Sequence, residues 1–295
     1  MYESFYQFRE KPFALSPDPQ FLFLSNQHRM ALTQLEYCLL NDAPFCLISG
    51  EIGSGKTTLI RHLLRRVNRD VNVGLISNTR RDFGALMHWV CLAFGIDYEG
   101  KDDVGLYKAF EDFLIAEYAK GHKVVLIVDE AQNLGRHKLE ELRLLSNINA
   151  DKHLLLQIIL VGQPELRDEI RNPRLVQLAQ RISIDYHIGP LNEVETRNYV
   201  LHRLRVAGGR LALFTPQALR VVYQCSRGVP RLINRICDAA LVYGFAEQQS
   251  RIGADLVREV VHDSNGTGVM ATPKPRTVVS VADPEDRRPG REAVT

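Results

Sequence analysis

Gly50-Glu51-Ile52-Gly53-Ser54-Gly55-Lys56-Thr57-Thr58 follows the apolar run Phe45-Cys46-Leu47-Ile48-Ser49 and precedes a helical pattern with Leu59, Ile60, Leu63, Leu64 and Val67 on one face. Strand, glycine turn and helix in that order are the context a phosphate-binding loop requires, and Gly50, Gly55, Lys56 and Thr57 fit the spacing G-x-x-x-x-G-K-[ST]. Gly50, Gly53 and Gly55 let successive backbone N–H groups converge on phosphate oxygens. The helix that starts at the loop turns its positive end toward the same anion. The pattern predicts that Lys56 reaches the β- and γ-phosphates and that Thr57 holds Mg²⁺.

A second stretch answers the first. Lys123 to Leu134 reads KVVLIVDEAQNL, and its five consecutive apolar residues, Val124 to Val128, predict a strand buried on both faces. Two acids at its end would be expensive to bury without a task. At the carboxyl end of a parallel strand they stand where such sheets hold ligands. Asp129 is the expected Mg²⁺ residue and Glu130 the expected base for an attacking water. A further apolar run, Leu154 to Val161, ends in Gly162-Gln163-Pro164, which puts Gln163 at the mouth of a central strand. Arg181 opens a last strand.

The rest of the chain frames these motifs. Strands alternate with helices (Phe83 to Phe94, Leu106 to Tyr118, Leu139 to Ile148), which predicts a parallel sheet covered on both faces. Residues Phe5 to Phe23 are dense in aromatics and proline and predict an extended arm; Asn26 is the expected cap of the next helix. From Asn192 the pattern is helical throughout, with a capping arrangement at Asn192 and Glu195, Thr215-Pro216 opening a second helix and Gly228-Val229-Pro230-Arg231 a third. The expected organisation is an arm over 1–25, a nucleotide-binding core over 26–190, a helical lid over 191–263 and a disordered tail over 264–295.

Composition narrows the class. The 295 residues carry a net charge of +2, with 45% apolar and 24% charged residues, as in ordinary soluble chains. No apolar run is long enough to span a bilayer and the N-terminus lacks a signal-type core, so a cytoplasmic location is expected, with membrane contact only through a partner. Five scattered cysteines read as reduced core residues, and nine histidines form no metal-binding pattern. Arg61, Arg65, Arg66 and Arg69 crowd the helix after the loop, and Arg80 with Arg81 follow the next strand. Residues 192–262 hold ten arginines against six acids. That bias suits a solvated face first and a nucleic acid or acidic partner second.

The order GEIGSGKTT, LIVDEAQNL, LVGQPEL, QRI and GVPRLINR, with a helical lid, resembles an AAA+ ATPase. More narrowly, it and the opening MYESFYQFREKPFALSPDPQFLFLSNQHRMAL resemble the ExeA (general secretion pathway protein A) family, over roughly residues 1–262. The resemblance implies an α/β P-loop NTPase core of the AAA+/ASCE type with a small all-α lid, ATP and Mg²⁺ as ligands, and ATP hydrolysis. It implies Walker A at Gly50, Glu51, Ile52, Gly53, Ser54, Gly55, Lys56, Thr57 and Thr58, and Walker B at Asp129 and Glu130. Sensor one falls on Gln163, the arginine finger on Arg181 and sensor two on Arg231. Gln163 departs from the asparagine, serine or threonine frequent at sensor one. The implied partners are further copies of the chain, in a ring or filament with nucleotide at the interface, and a membrane-associated secretion, pilus or polysaccharide-export system. The secretion proteins continue into a membrane span and a peptidoglycan-binding domain that this sequence does not contain, so the likeness is to shorter members. The alternative class is a DNA-binding AAA+ regulator of the transposition type. A GTPase is disfavoured by the lack of an N-K-x-D element, and a two-core helicase by the single core.

Overall fold

Strands that are apolar at every position must be covered on both faces, and alternate residues tell which side each layer covers. The computed structural model describes residues 1–16, 18–68, 70–77, 84–150 and 153–266. In chain order the elements are α1 (Tyr2–Tyr6), α2 (Asn26–Leu40), β1 (Phe45–Gly50), α3 (Lys56–Leu64), β2 (Val71–Ile76), α4 (Leu86–Ala93), α5 (Asp103–Ala119), β3 (Lys123–Val128) and α6 (Gly135–Leu145). A two-residue ribbon, β4 (Asn149–Ala150) and β5 (His153–Leu154), leads to β6 (Gln157–Gly162), α7 (Pro164–Ile170), α8 (Val176–Ala179) and β7 (Ile182–Ile188). Four helices close the described chain: α9 (Glu193–Val206), α10 (Pro216–Ser226), α11 (Pro230–Ala246) and α12 (Ala254–Gly266).

The main sheet is parallel and five-stranded in the order β2-β3-β6-β1-β7. Phe45, Leu47, Val124, Leu126, Val128, Ile158 and Leu160 point to one face, where they pack with α4, α5 and α6. Cys46, Ile48, Val125, Ile127, Ile159 and Val161 point to the other, under α2 and α3. A period of two across three neighbouring strands thus builds two cores, and the expected three-layer α/β architecture is the one observed. All five cysteines are free thiols, four of them buried.

A third core belongs to the helical lid, and it contains the arm. Tyr2, Tyr6, Phe8, Phe13 and Phe21 are buried among Val200, Leu204, Phe214, Ile233, Leu241 and Val257. The sequence predicts an extended arm across the domain; instead residues 2–6 turn helical and the aromatics fold into the lid. The reason is burial: at roughly 25 cal/mol per Å² of apolar surface removed from water, five aromatics recover more by joining a core than by lying on a surface. The Tyr2 hydroxyl donates to Asp238, and Arg9 N donates to Ala207 O at 2.9 Å, sealing arm to lid.

Other differences are local. Ser25, not Asn26, caps α2, its hydroxyl accepting from His28 N, while Asn26 is the first helical residue. The run from Leu154 splits: Leu154 pairs in the ribbon, and the central strand starts at Gln157, whose side chain reaches Cys38 O at 2.9 Å. The helix expected from Phe83 is described from Leu86, and Phe83, Arg69, Arg80 and Arg81 lie outside the described residues. The expected tail begins inside α12, which runs to Gly266; residues 267–295 also lie outside the described residues. Among the described residues, no helix is long and apolar enough to cross a membrane.

One half-buried cluster, centred on the buried Glu117, gives the core a pH response. Glu117 at the end of α5 accepts from Lys120 Nζ at 2.6 Å, from His122 Nδ1 at 2.8 Å and from Asn72 Nδ2 at 3.4 Å. These bonds, that from Lys120 foremost, hold its carboxyl at about 2. A depressed folded value contributes stability above the ordinary glutamate range, and that contribution disappears as pH falls toward 2. Glu117→Gln should therefore melt below the parent protein at neutral pH, with the gap closing between about pH 5 and pH 2. A gap independent of pH would exclude this origin.

Candidate nucleotide-binding site

Parallel strands open their carboxyl ends along one edge, and register decides which loops meet there. Ser49 of β1 stands opposite Gly162 of β6, and Val128 of β3 opposite Leu160. Because β6 is inserted between β1 and β3, the loop at Gly50, Gln163 and the acids Asp129 and Glu130 converge on one place.

The loop is built around its glycines. A Cβ at Gly53 would come within 2.3 Å of the Arg231 Cβ, and Gly53 itself sits at φ +79°, where side chains are strained. Lys56 is buried and donates from Nζ to Gly50 O at 2.8 Å and Glu51 O at 3.1 Å. Burial pulls the Lys56 pKa below its ordinary value, against the opposing pull of Glu130 and Asp129. Ser54 Oγ is buried with no hydrogen-bond partner among the described residues. An unpartnered hydroxyl, a buried ammonium bonded only to loop carbonyls and the α3 N-terminus form a cradle that suits polyphosphate with its Mg²⁺.

Opposite the loop, Thr57 Oγ1 donates to Asp129 Oδ2 at 2.7 Å, so the two expected Mg²⁺ residues are in contact. Burial raises the Asp129 carboxyl above its ordinary value in spite of that bond. Glu130 takes a left-handed backbone at φ 54°, steadied by its N–H to Asp129 Oδ1 at 2.9 Å. Its Oε2 accepts from Gln132 Nε2 at 2.5 Å and from Gln163 Nε2 at 3.0 Å. Burial pushes the Glu130 carboxyl up, but those bonds and the Lys56 charge outweigh it, so the group stays below the ordinary glutamate value. The third side of the site is Gln132 itself, whose Oε1 accepts from Gln163 N at 3.1 Å. Nothing in the pattern of the sequence singles out Gln132; only a 3₁₀ turn after Glu130 brings it back over the carboxylate.

The lid and the arm form the remaining wall of the cleft, with Ala14, Leu15, Phe21, Tyr199, Arg203 and Arg231 along it. Arg231 N lies 3.3 Å from Gly53 O, which docks the start of α11 on the loop. Arg203 is buried and donates to Pro12 O, to Ala14 O at 3.2 Å and to the Tyr199 hydroxyl at 3.0 Å, its guanidinium 4.6 Å from the Phe21 ring centre. Arg203 is thus a tie between arm and lid, a role hidden in the sequence among the other arginines of α9.

Arg181 is the one expected site residue the fold keeps apart. It precedes β7, whose first residue pairs with Phe45 at the end of β1 remote from the loop. The seven residues of β7 separate it from its own loop edge by about 20 Å. There its guanidinium donates to Ser146 Oγ at 2.6 Å, to Ser146 O at 3.2 Å and to the Asn147 side chain.

Residues 40–170 match a family model described as an AAA domain. Over 258 residues the sequence is 43% identical to the general secretion pathway protein A of Aeromonas hydrophila, covering 85% of this chain and 46% of that one. The chain therefore spans under half the length of that curated relative. The Aeropyrum pernix ORC2 protein in its ADPNP–ADP complexes superposes at a TM-score of 0.65 with 19% identity, over 90% of this chain and 75% of that one. Cdc6p from Pyrobaculum aerophilum gives 0.66 with 16% identity, over 87% of this chain and 71% of that one. At such identities these two likenesses are of fold: a P-loop core followed by helices.

Proposed function

Because the chain belongs to the AAA-type ATPases and is related to general secretion pathway protein A, we propose that it binds Mg·ATP in the cleft and hydrolyses it. It would do so as an oligomeric assembly or regulatory ATPase serving a membrane-associated secretion, pilus or polysaccharide-export system. The observation that carries the catalytic part is the Glu130 carboxylate, ionised and held by Gln132 and Gln163 at the edge where Lys56 and Thr57 open.

The residues take separate tasks. The loop N–H groups and Lys56 bind the β- and γ-phosphates, and Thr57 with Asp129 would hold Mg²⁺, which when bound neutralises charge on the phosphate oxygens. Glu130 orients a water and accepts its proton as the water oxygen bonds to the γ-phosphorus and the bond to the β-phosphate oxygen breaks, releasing ADP. Gln163 keeps Glu130 from swinging away, so a glutamine at the sensor-one position acts through the base. Arg231, docked on Gly53, carries nucleotide occupancy to the lid.

Ligand binding should raise the melting temperature, by about 2.7 kcal/mol of stabilisation at a hundredfold excess over Kd. Millimolar Mg·ATP should shift the melting temperature of the parent protein and leave that of Lys56→Ala in place, as read by differential scanning fluorimetry. No shift in the parent protein would sink the nucleotide reading.

A further inference from the structure

His28 stands in the first turn of α2 at 4% exposure, directly beneath the phosphate loop. Its Nε2 lies 2.8 Å from Ser54 O and its Nδ1 2.7 Å from Ser25 Oγ. A Cβ on Gly55 would come within 3.0 Å of that Nε2, so the loop runs across the edge of the imidazole. A carbonyl oxygen only accepts, so Nε2 must carry a proton and donate to Ser54 O. In a neutral imidazole Nδ1 is then the acceptor, and the Ser25 hydroxyl donates to it while accepting from His28 N at 3.3 Å. Burial, which lowers the His28 pKa, favours this neutral form.

The consequence follows from the peptide unit. In a planar trans peptide the C=O and the next N–H point in opposite directions. Drawing Ser54 O down onto α2 turns the Gly55 N–H up into the cleft. If the same peptide turned over, a carbonyl dipole would face the phosphates in place of a donor. Gly55 lacks a Cβ and has φ +98°, so nothing in its own side chain opposes that turn.

We propose that His28 is a positioning residue that locks the Ser54–Gly55 peptide of the phosphate loop with its N–H aimed at the bound phosphates. The proposal rests on the nucleotide-binding reading above and adds a residue outside the phosphate loop and the acidic strand end.

Two substitutions separate the positioning role from a packing role. In glutamine Nε2 lies as many bonds from Cα as the imidazole Nε2 does, so His28→Gln can still donate to Ser54 O. In asparagine the amide lies only as far out as Nδ1, so His28→Asn keeps the Ser25 side and loses the loop side. Calorimetric titration with Mg·ADP should show His28→Asn weakened about 10- to 100-fold, the loss of one hydrogen bond to a charged ligand, with His28→Gln restoring most of the affinity. Equal affinity in His28→Asn and the parent protein, or equal losses in both variants, would overturn the proposal. A parent protein that fails to bind Mg·ADP would instead overturn the nucleotide reading. Independently of any substitution, ¹⁵N imidazole spectra of the ligand-free protein should show His28 protonated at Nε2. Protonation at Nδ1 alone would leave Ser54 O without its donor and exclude the lock.

Discussion

Glu130→Gln is expected to bind Mg·ATP as the parent protein does and to hydrolyse it about 10²- to 10⁴-fold more slowly, the range a positioned general base contributes. The substitution keeps the size of the side chain and leaves an amide oxygen to accept from Gln132 and Gln163, so the local geometry survives. Asp129 and Thr57, still 2.7 Å apart, keep their part of the Mg²⁺ site. What disappears is the negative charge and the capacity to take a proton from water. A phosphate-release assay beside a nucleotide titration reads both quantities. Undiminished turnover would remove Glu130 from the mechanism, whereas lost binding would show that the carboxylate serves the ligand rather than the water. Because hydrogen bonds and Lys56 hold the carboxyl below the ordinary glutamate value, the parent protein should keep its base ionised on mild acidification.

The second large effect requires two copies of the chain. Arg181→Ala should bind ATP normally and lose about 10³- to 10⁵-fold in rate, the scale measured for arginine fingers in GTPases. Its place at the far end of β7 rules out contact with its own loop, so any such effect must come from a neighbour. Mixing Arg181→Ala with Lys56→Ala should then restore activity, since one copy brings an intact loop and the other an intact arginine. Two inactive variants that co-assemble and remain inactive would assign Arg181 to its bonds with Ser146 and Asn147 alone.

How much of this was legible in the sequence depended on whether a constraint was local. The loop over Gly50 to Thr58 announces itself because glycine spacing, lysine and flanking strand all lie within twenty residues. The acids of Asp129 and Glu130 are readable because five apolar residues in a row leave no other reason for charge at the strand end. The apolar runs of the central strands β1, β3 and β6, and their two covered faces, follow from the same rule. The strand inserted between β1 and β3 is a long-range pairing, and no short window encodes it. The arm reads as extended because proline density is a local signal, whereas the lid core that captures Phe13 and Phe21 lies almost two hundred residues away. His28 and Gln132 are hard to single out for related reasons. His28 matters through a bond to Ser54 that only the folded chain makes. Gln132 matters through a 3₁₀ turn that bends it over Glu130 and a bond from Gln163 N. Ser25 displaced Asn26 as the cap of α2 by a single residue, within the usual uncertainty of helix ends.

The capture of the arm by the lid also sets an order of events. Tyr2, Tyr6, Phe8, Phe13 and Phe21 leave the ribosome ahead of the other described residues, and their partners in α9 to α12 are among the last of those to follow. At roughly 5 to 20 residues per second, those aromatics wait about ten to fifty seconds without a core to enter. The central sheet can close in the meantime, with the nascent arm exposed beside it as a hydrophobic segment fit for a chaperone. Only when α11 and α12 arrive can the arm and the lid knit together and the cleft acquire its last wall. A nascent chain stopped before α11 should thus carry the phosphate loop without Arg231 to dock on it, and only the first two helices of the lid.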